Sequence, residues 1–167
     1  MNTLNRKTQP HTITPSAGII PEPDKIMLNN DVPVYLVGTG TEDLLRIEFV
    51  FDAGQVQEKL QMTASTTNEM LTEGTTLHEA IELNEAIDYT GAVFTPVVDK
   101  DKAGIVIITL LRTIDRVLEL AAEVLYSPSF PENEFVMQID RKYQQFLTNR
   151  QKTSVVSREI FYNSLFG

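Results

Sequence analysis

TASTTNEMLTEGT, residues 63–75, is the stretch on which the reading of this chain turns. It predicts a helix from about Met62 to Glu73, closed by Gly74, whose missing Cβ suits the left-handed position that follows many helices. Ser65 and Glu69 are four apart and share one face of that helix, with Asn68 beside them. Their chemistry is modest. A hydroxyl is a weak neutral ligand, an amide cannot accept a proton as a carboxylate does, and only Glu69 could ligate a metal. Ser65, Thr66 and Thr67 also offer hydroxyl nucleophiles. No His lies nearby in sequence and no Gly-x-Ser-x-Gly elbow occurs, so nucleophilic catalysis has no support.

The flanks read as an α+β order. Val32 to Val37 is a predicted strand. From Leu44 to Phe51 the chain alternates, with Leu45, Ile47, Phe49 and Phe51 on one face and Arg46 and Glu48 on the other, which predicts a sheet with one wet face. After Gly74 a second helix is expected, opened by Thr76 and Glu79 in capping-box spacing and ended by Gly91. Strands near Ala92 to Val98 and Gly104 to Leu111 flank Asp99-Lys100-Asp101-Lys102, a hairpin pattern. Helices are predicted over Thr113 to Tyr126, Pro131 to Arg150 and Ser154 to Phe166. The expected fold class is therefore α+β, a mostly antiparallel sheet with helices packed on one face. Residues 1–25 read as an extended polar leader, punctuated by Pro10, Pro15, Pro21 and Pro23, and 26–167 as one domain.

Composition sets outer limits. A chain of 167 residues can bury a real core, and 42% hydrophobic with 22% charged residues is the balance of a globular domain. A net charge of −9 without clustered Lys and Arg argues against nucleic acid. With no cysteine there is neither a disulfide nor a thiolate metal site. The longest apolar run, Ile105 to Leu111, is far short of the roughly 20 residues that a membrane span needs. No membrane partner is expected, and with no signal-peptide pattern the expected location is cytoplasmic, although the lack of cysteine does not separate cytoplasm from periplasm. His78 and Glu82 are four apart but lack a third ligand nearby, which favours an exposed helix face. His11 sits in the leader and reads as solvated. The 99–102 segment lacks the glycine and downstream Glu of a calcium loop.

One resemblance organises these pieces. Ala64, Met70, Leu71, Gly74 and Thr75 fall on the frame Gly-Leu-Ala-His-x-x-Glu-His-Met-Leu-Phe-x-Gly-Thr, so the chain resembles the pitrilysin/insulinase family of zinc metallopeptidases, which includes the mitochondrial processing peptidase. The likeness continues through Leu28 to Val34, Phe51-Asp52-Ala53-Gly54 with Glu58, Tyr89 to Ala92, Leu110 to Arg112, Leu125 to Glu132 and Leu165-Phe166-Gly167. On that frame the zinc-binding His residues align with Ser65 and Glu69 and the general base with Asn68. The third ligand aligns with Gln145, or with Gln144 after a one-residue slip. In the active family two His four apart share a tetrahedral zinc and the Glu between them takes a proton from the bound water. None of those catalytic residues is present here. The resemblance implies a degenerate site at Ser65, Asn68, Glu69 and Gln145, no metal ligands and no cofactor in this chain, and zinc only in a catalytic partner.

The resemblance also implies a peptide-docking strand, since relatives use Gly-Gly-x-x-Asn-Ala as an edge to which a substrate peptide adds. Here the frame is Gly91, Ala92, Val93, Phe94, Thr95 and then Pro96, which has no backbone donor and equally suits an edge protected from unwanted pairing. Relatives continue past Leu165-Phe166-Gly167 into further strands, so a truncated first domain is expected, whose open edge would allow a homo-oligomer. The function implied is that of a non-enzymatic, chamber-forming and peptide-binding partner of a homologous catalytic metallopeptidase chain. The alternative is a structural or assembly subunit resembling the respiratory-complex core proteins of the same family.

Overall fold

A computed structural model describes residues 21–38, 40 and 42–166, in two compact units divided after Thr41. Residues 1–20 of the expected leader, with Pro10, His11 and Pro15, lie outside the described residues. The first unit is an antiparallel hairpin of β1 (Asp24–Met27) and β2 (Pro33–Leu36), in the register Asp24 to Leu36 through Met27 to Pro33. Its turn closes by hydrogen bonds from Asp31 N to Leu28 O and from Leu28 N to Val32 O, both 3.0 Å. Asp31 has φ 61, a left-handed conformation that Asp and Asn tolerate better than most side chains. β1 has no counterpart in the sequence reading. Its four residues DKIM are too short and too polar to show a period.

The second unit holds the expected α+β fold. β3 (Leu44–Phe51), β4 (Val93–Val98) and β5 (Ala103–Leu110) form an antiparallel sheet in the order β3-β5-β4, with β5 in the middle. Ile47 and Phe94 both pair with Ile107, and Phe49 and Pro96 both pair with Ile105, so one face carries continuous apolar rows across three strands. That face meets α2 (Ala80–Thr90) through Leu83 and Ile87. It meets α3 (Ile114–Tyr126) through Val117, Leu120, Ala121 and Val124, a stripe at helical spacing. The opposite face carries Arg46 and Glu48, joined at 2.6 Å near solvent. The central position of β5 explains its long apolar run, since it has neighbours on both sides.

One joint ties the 75–78 turn to α3, and a second packs Gly54 on the 99–102 turn. Thr75 Oγ1 donates to Glu123 Oε1, and the same oxygen lies 2.7 Å from His78 Nδ1. Thr75 Oγ1 also accepts from His78 N at 3.0 Å. Burial alone would raise the pKa of Glu123, but the hydrogen bonds from Thr75 and His78, with the charges of His78 and Arg116, outweigh it and hold the carboxyl below its ordinary value. His78 therefore precedes α2 and faces α3, instead of lining an exposed helix face with Glu82. The 75–78 turn also displaces the expected cap. α2 starts one turn later than Thr76 would place it, with Glu79 and Glu82 forming the capping box. At the second joint, Gly54 presses on the 99–102 turn and leaves no room for a side chain: a Cβ there would lie 2.4 Å from Asp101 C and 2.5 Å from Lys100 O.

Candidate functional site

α1 (Thr63–Met70) has the composition TASTTNEM, poor in strong helix formers, and needs help at its start. Glu58 supplies it: its carboxylate accepts from Met62 N at 3.0 Å and from Ala64 N at 2.9 Å. An acceptor anion at the first turn satisfies otherwise orphaned N–H groups and complements the helix dipole. Met62, at φ 70, turns the chain sharply into the helix. α1 ends at Met70, earlier than the predicted Glu73, and Gly74 at φ +126 lies in the turn that leads to α2, where its carbonyl accepts from Ser129 N at 3.1 Å.

The degenerate positions on α1 divide between two faces. Asn68 is buried and points to the sheet, where Nδ2 donates to Val97 O at 3.0 Å and to Gly104 O at 2.9 Å. It is a bracket between α1 and the β4–β5 pair. Ser65 and Glu69 face α4 (Glu132–Arg150). Between them lies Lys142, whose Nζ donates to Ser65 Oγ at 3.2 Å and to Glu69 Oε1 at 2.9 Å. The Lys142 side chain is 12% exposed and that of Glu69 42%. One turn back along α4, buried Gln138 donates from Nε2 to Glu73 Oε1 at 2.8 Å. The α1–α4 seam is thus a ladder of Glu73 with Gln138 and of Glu69 and Ser65 with Lys142. Gln145 lies three residues beyond Lys142, is exposed, and its side chain makes no hydrogen bond among the described residues.

Lys142 decides what this seam can do. An ammonium occupies the space between the two α1 side chains and neutralises Glu69 without any metal. Ser65 donates its own proton to Met62 O at 3.2 Å and accepts from Lys142, so no group in contact with it is placed to remove that proton. Among the described residues no three His, Asp or Glu side chains gather as metal ligands would. Lys142 is not marked by the resemblance, although Gln138, Lys142 and Gln145 fall on one stripe of α4 whose lone cation is a usable signal. Glu58 falls on the frame of the resemblance, which does not mark it as the cap of α1.

The Gly91 to Thr95 segment is not uniform. Gly91 is the left-handed cap of α2 at φ 71, and Ala92 is buried against the core. The strand itself begins at Val93, with Val93 opposite Ile108 and Thr95 opposite Val106. Among the described residues β4 pairs only with β5, so Val93, Phe94 and Thr95 lie on a sheet edge that also contains Pro96. A cleft of about 590 Å³ opens where the end of β3 and the 57–60 segment meet α1, with Leu60, Ala64, Thr67 and Leu71 in its walls. Among the described residues no helix is long and apolar enough to cross a membrane.

No family model matches the sequence, and no curated protein matches it. Solved structures do match its fold. A peptidase M16 inactive domain from Pseudomonas fluorescens is similar with a TM-score of 0.74 at 21% identity, over 81% of this chain and 34% of that one. A protease from Helicobacter pylori is similar with a TM-score of 0.65 at 21% identity, over 75% of this chain and 32% of that one. This chain spans about a third of the length of either, and with its antiparallel sheet and helical cover it has the fold of a peptidase M16 domain.

Proposed function

We propose that this chain is a non-catalytic member of the M16 peptidases, the pitrilysin/insulinase group, and that it forms part of a peptide-enclosing chamber beside a catalytically active homologue. The observation that carries the reading is Lys142, seated on Ser65 and Glu69 where the resemblance puts two zinc ligands. A positive side chain and a divalent cation exclude each other from one small polar site. The similar Pseudomonas fluorescens domain is an inactive one, which points the same way. The role left to such a chain is shape and substrate contact. The outer edge of β4, from Val93 to Thr95, offers backbone groups to an extended peptide.

The test is reconstitution. The full-length protein is co-expressed with the homologue from the same genome that retains an intact His-x-x-Glu-His helix. A stable complex that cleaves a quenched fluorescent peptide faster than the catalytic chain alone is expected. Separate elution of the two chains, with unchanged cleavage, would contradict the reading.

A further inference from the structure

We infer that the cleft between the end of β3, the 57–60 segment and α1 binds an indole ring, whose N–H donates to Asn68 Oδ1. Such binding is independent of the chamber role proposed above. The cleft has a volume of about 590 Å³, within the range of small-molecule sites, and its walls are mostly apolar, with Phe51, Leu60, Ala64, Leu71 and Ala103 around Asn68. Phe51 and Leu60 remain 48% and 75% exposed, so a ligand finds apolar surface there to cover.

Asn68 is 6% exposed, and only the donor half of its amide is engaged. Nδ2 gives both hydrogens to the sheet, at Val97 O and Gly104 O. Two carbonyl oxygens can face only the donor end of an amide, so Oδ1 is turned away from them. It accepts no hydrogen bond among the described residues. Every fully enclosed side-chain nitrogen or oxygen among those residues has a partner, so Oδ1 is reached from outside, and the cleft is the opening that Asn68 lines. A buried side chain thus presents one unsatisfied acceptor to an apolar concavity.

The other polar groups of the walls narrow the ligand class. Glu58 accepts from Met62 N and Ala64 N, and Asp52 is paired with Lys102. No carboxylate of the walls is left for an ammonium or guanidinium, and Lys59 beside them opposes a cation. Thr63 donates its hydroxyl to Leu60 O at 2.7 Å, and both Asn68 hydrogens are in use, so neither can serve a ligand oxygen. The remaining donors, on Gln57, Lys59 and Thr67, belong to exposed residues. An alcohol or phenol would bring an acceptor into the apolar interior of the cleft along with its donor, and a ligand carbonyl would bring only an acceptor. Indole brings a flat apolar body and one N–H that donates and cannot accept.

The experiment is an NMR titration of the isotope-labelled protein with indole, and with benzofuran, which has nearly the same outline and a ring oxygen in place of the N–H. Saturable shifts at the amides of 51–71 and 103–104 and at the Asn68 side-chain amide are expected with indole, at an affinity at least about fivefold above that for benzofuran. Ala64→Leu suits a helix, leaves Asn68 in place and fills the cleft, so it should weaken indole binding about tenfold in a protein whose spectrum shows it folded. N-acetyl-tryptophan methylamide distinguishes the source of the ring: binding like that of indole assigns the site to a tryptophan side chain, and binding of indole alone assigns it to a free small molecule. Equal affinities for indole and benzofuran, shifts elsewhere only, or an unchanged affinity in Ala64→Leu would overturn the inference.

Discussion

Replacing Asn68 with aspartate should destabilise the fold more than replacing it with alanine. The side chains of asparagine and aspartate have the same shape, so packing is preserved. What changes is that a donor placed 3.0 Å from Val97 O and 2.9 Å from Gly104 O becomes an acceptor. Two hydrogen bonds are lost, each worth about 1 kcal/mol net, and a buried carboxylate then faces two carbonyl oxygens. We expect a loss of about 3 kcal/mol at pH 7.5 for Asn68→Asp and about 2 kcal/mol for Asn68→Ala. The folded state raises the pKa of the new carboxyl, because burial and the carbonyl dipoles disfavour its charge. The charge penalty is therefore fully present above the raised folded-state value, shrinks as the pH falls through it and is gone below the unfolded-state value. Urea unfolding at pH 7.5 and pH 5 measures both effects, with the slope m checking that the transition is comparable. If Asn68→Asp were neutral or stabilising at pH 7.5, the side chain would have to face Lys142 instead of the sheet, and the division of α1 into two faces would be wrong.

Three further outcomes follow from the same geometry. Gly54→Ala should lower stability by about 1–3 kcal/mol in thermal unfolding, because its Cβ would meet the Asp101 backbone at 2.4 Å and the 99–102 turn must move. Glu123, held below its ordinary pKa, stabilises the fold above the unfolded-state value, so its contribution should disappear as the pH falls through the folded value. Glu123→Gln should accordingly flatten the acid limb of a stability profile between pH 6 and pH 3, roughly the range in which carboxylates titrate. Lys142→Met should cost only about 1 kcal/mol in urea unfolding, since Glu69 is half-exposed and solvent screens the pair.

How much of this was legible in the sequence depends on how local each signal is. The alternation of Leu44 to Phe51 and the stripe of Val117, Leu120, Ala121 and Val124 are periodic, and periodicity survives without knowledge of the neighbours. β1 failed because four residues are too few for a period. The start of α2 was misplaced because the 75–78 turn is held by Glu123, a residue 45 positions from His78, and no local pattern encodes that contact. The site followed the same logic. Ser65, Asn68 and Glu69 were singled out from their own helix, but the assignment of Asn68 to the sheet and of Ser65 and Glu69 to Lys142 depends on two partners far along the chain. Gln145 stands where a third zinc ligand would align, whereas the side chain that replaces the ion, Lys142, stands one turn earlier on α4. The amide at Asn68, taken as a lost base, serves here through its donors.

Lys142 closes the α1–α4 seam in the place that a metal would take. Isothermal titration of the purified protein with zinc at about pH 7, with elemental analysis of the untreated protein beside it, tests this most directly. No stoichiometric zinc and no saturable heat are expected, because one half-exposed carboxylate, a hydroxyl and an ammonium cannot outcompete water for the ion. One tightly bound zinc per chain that disappears in Glu69→Ala would contradict it.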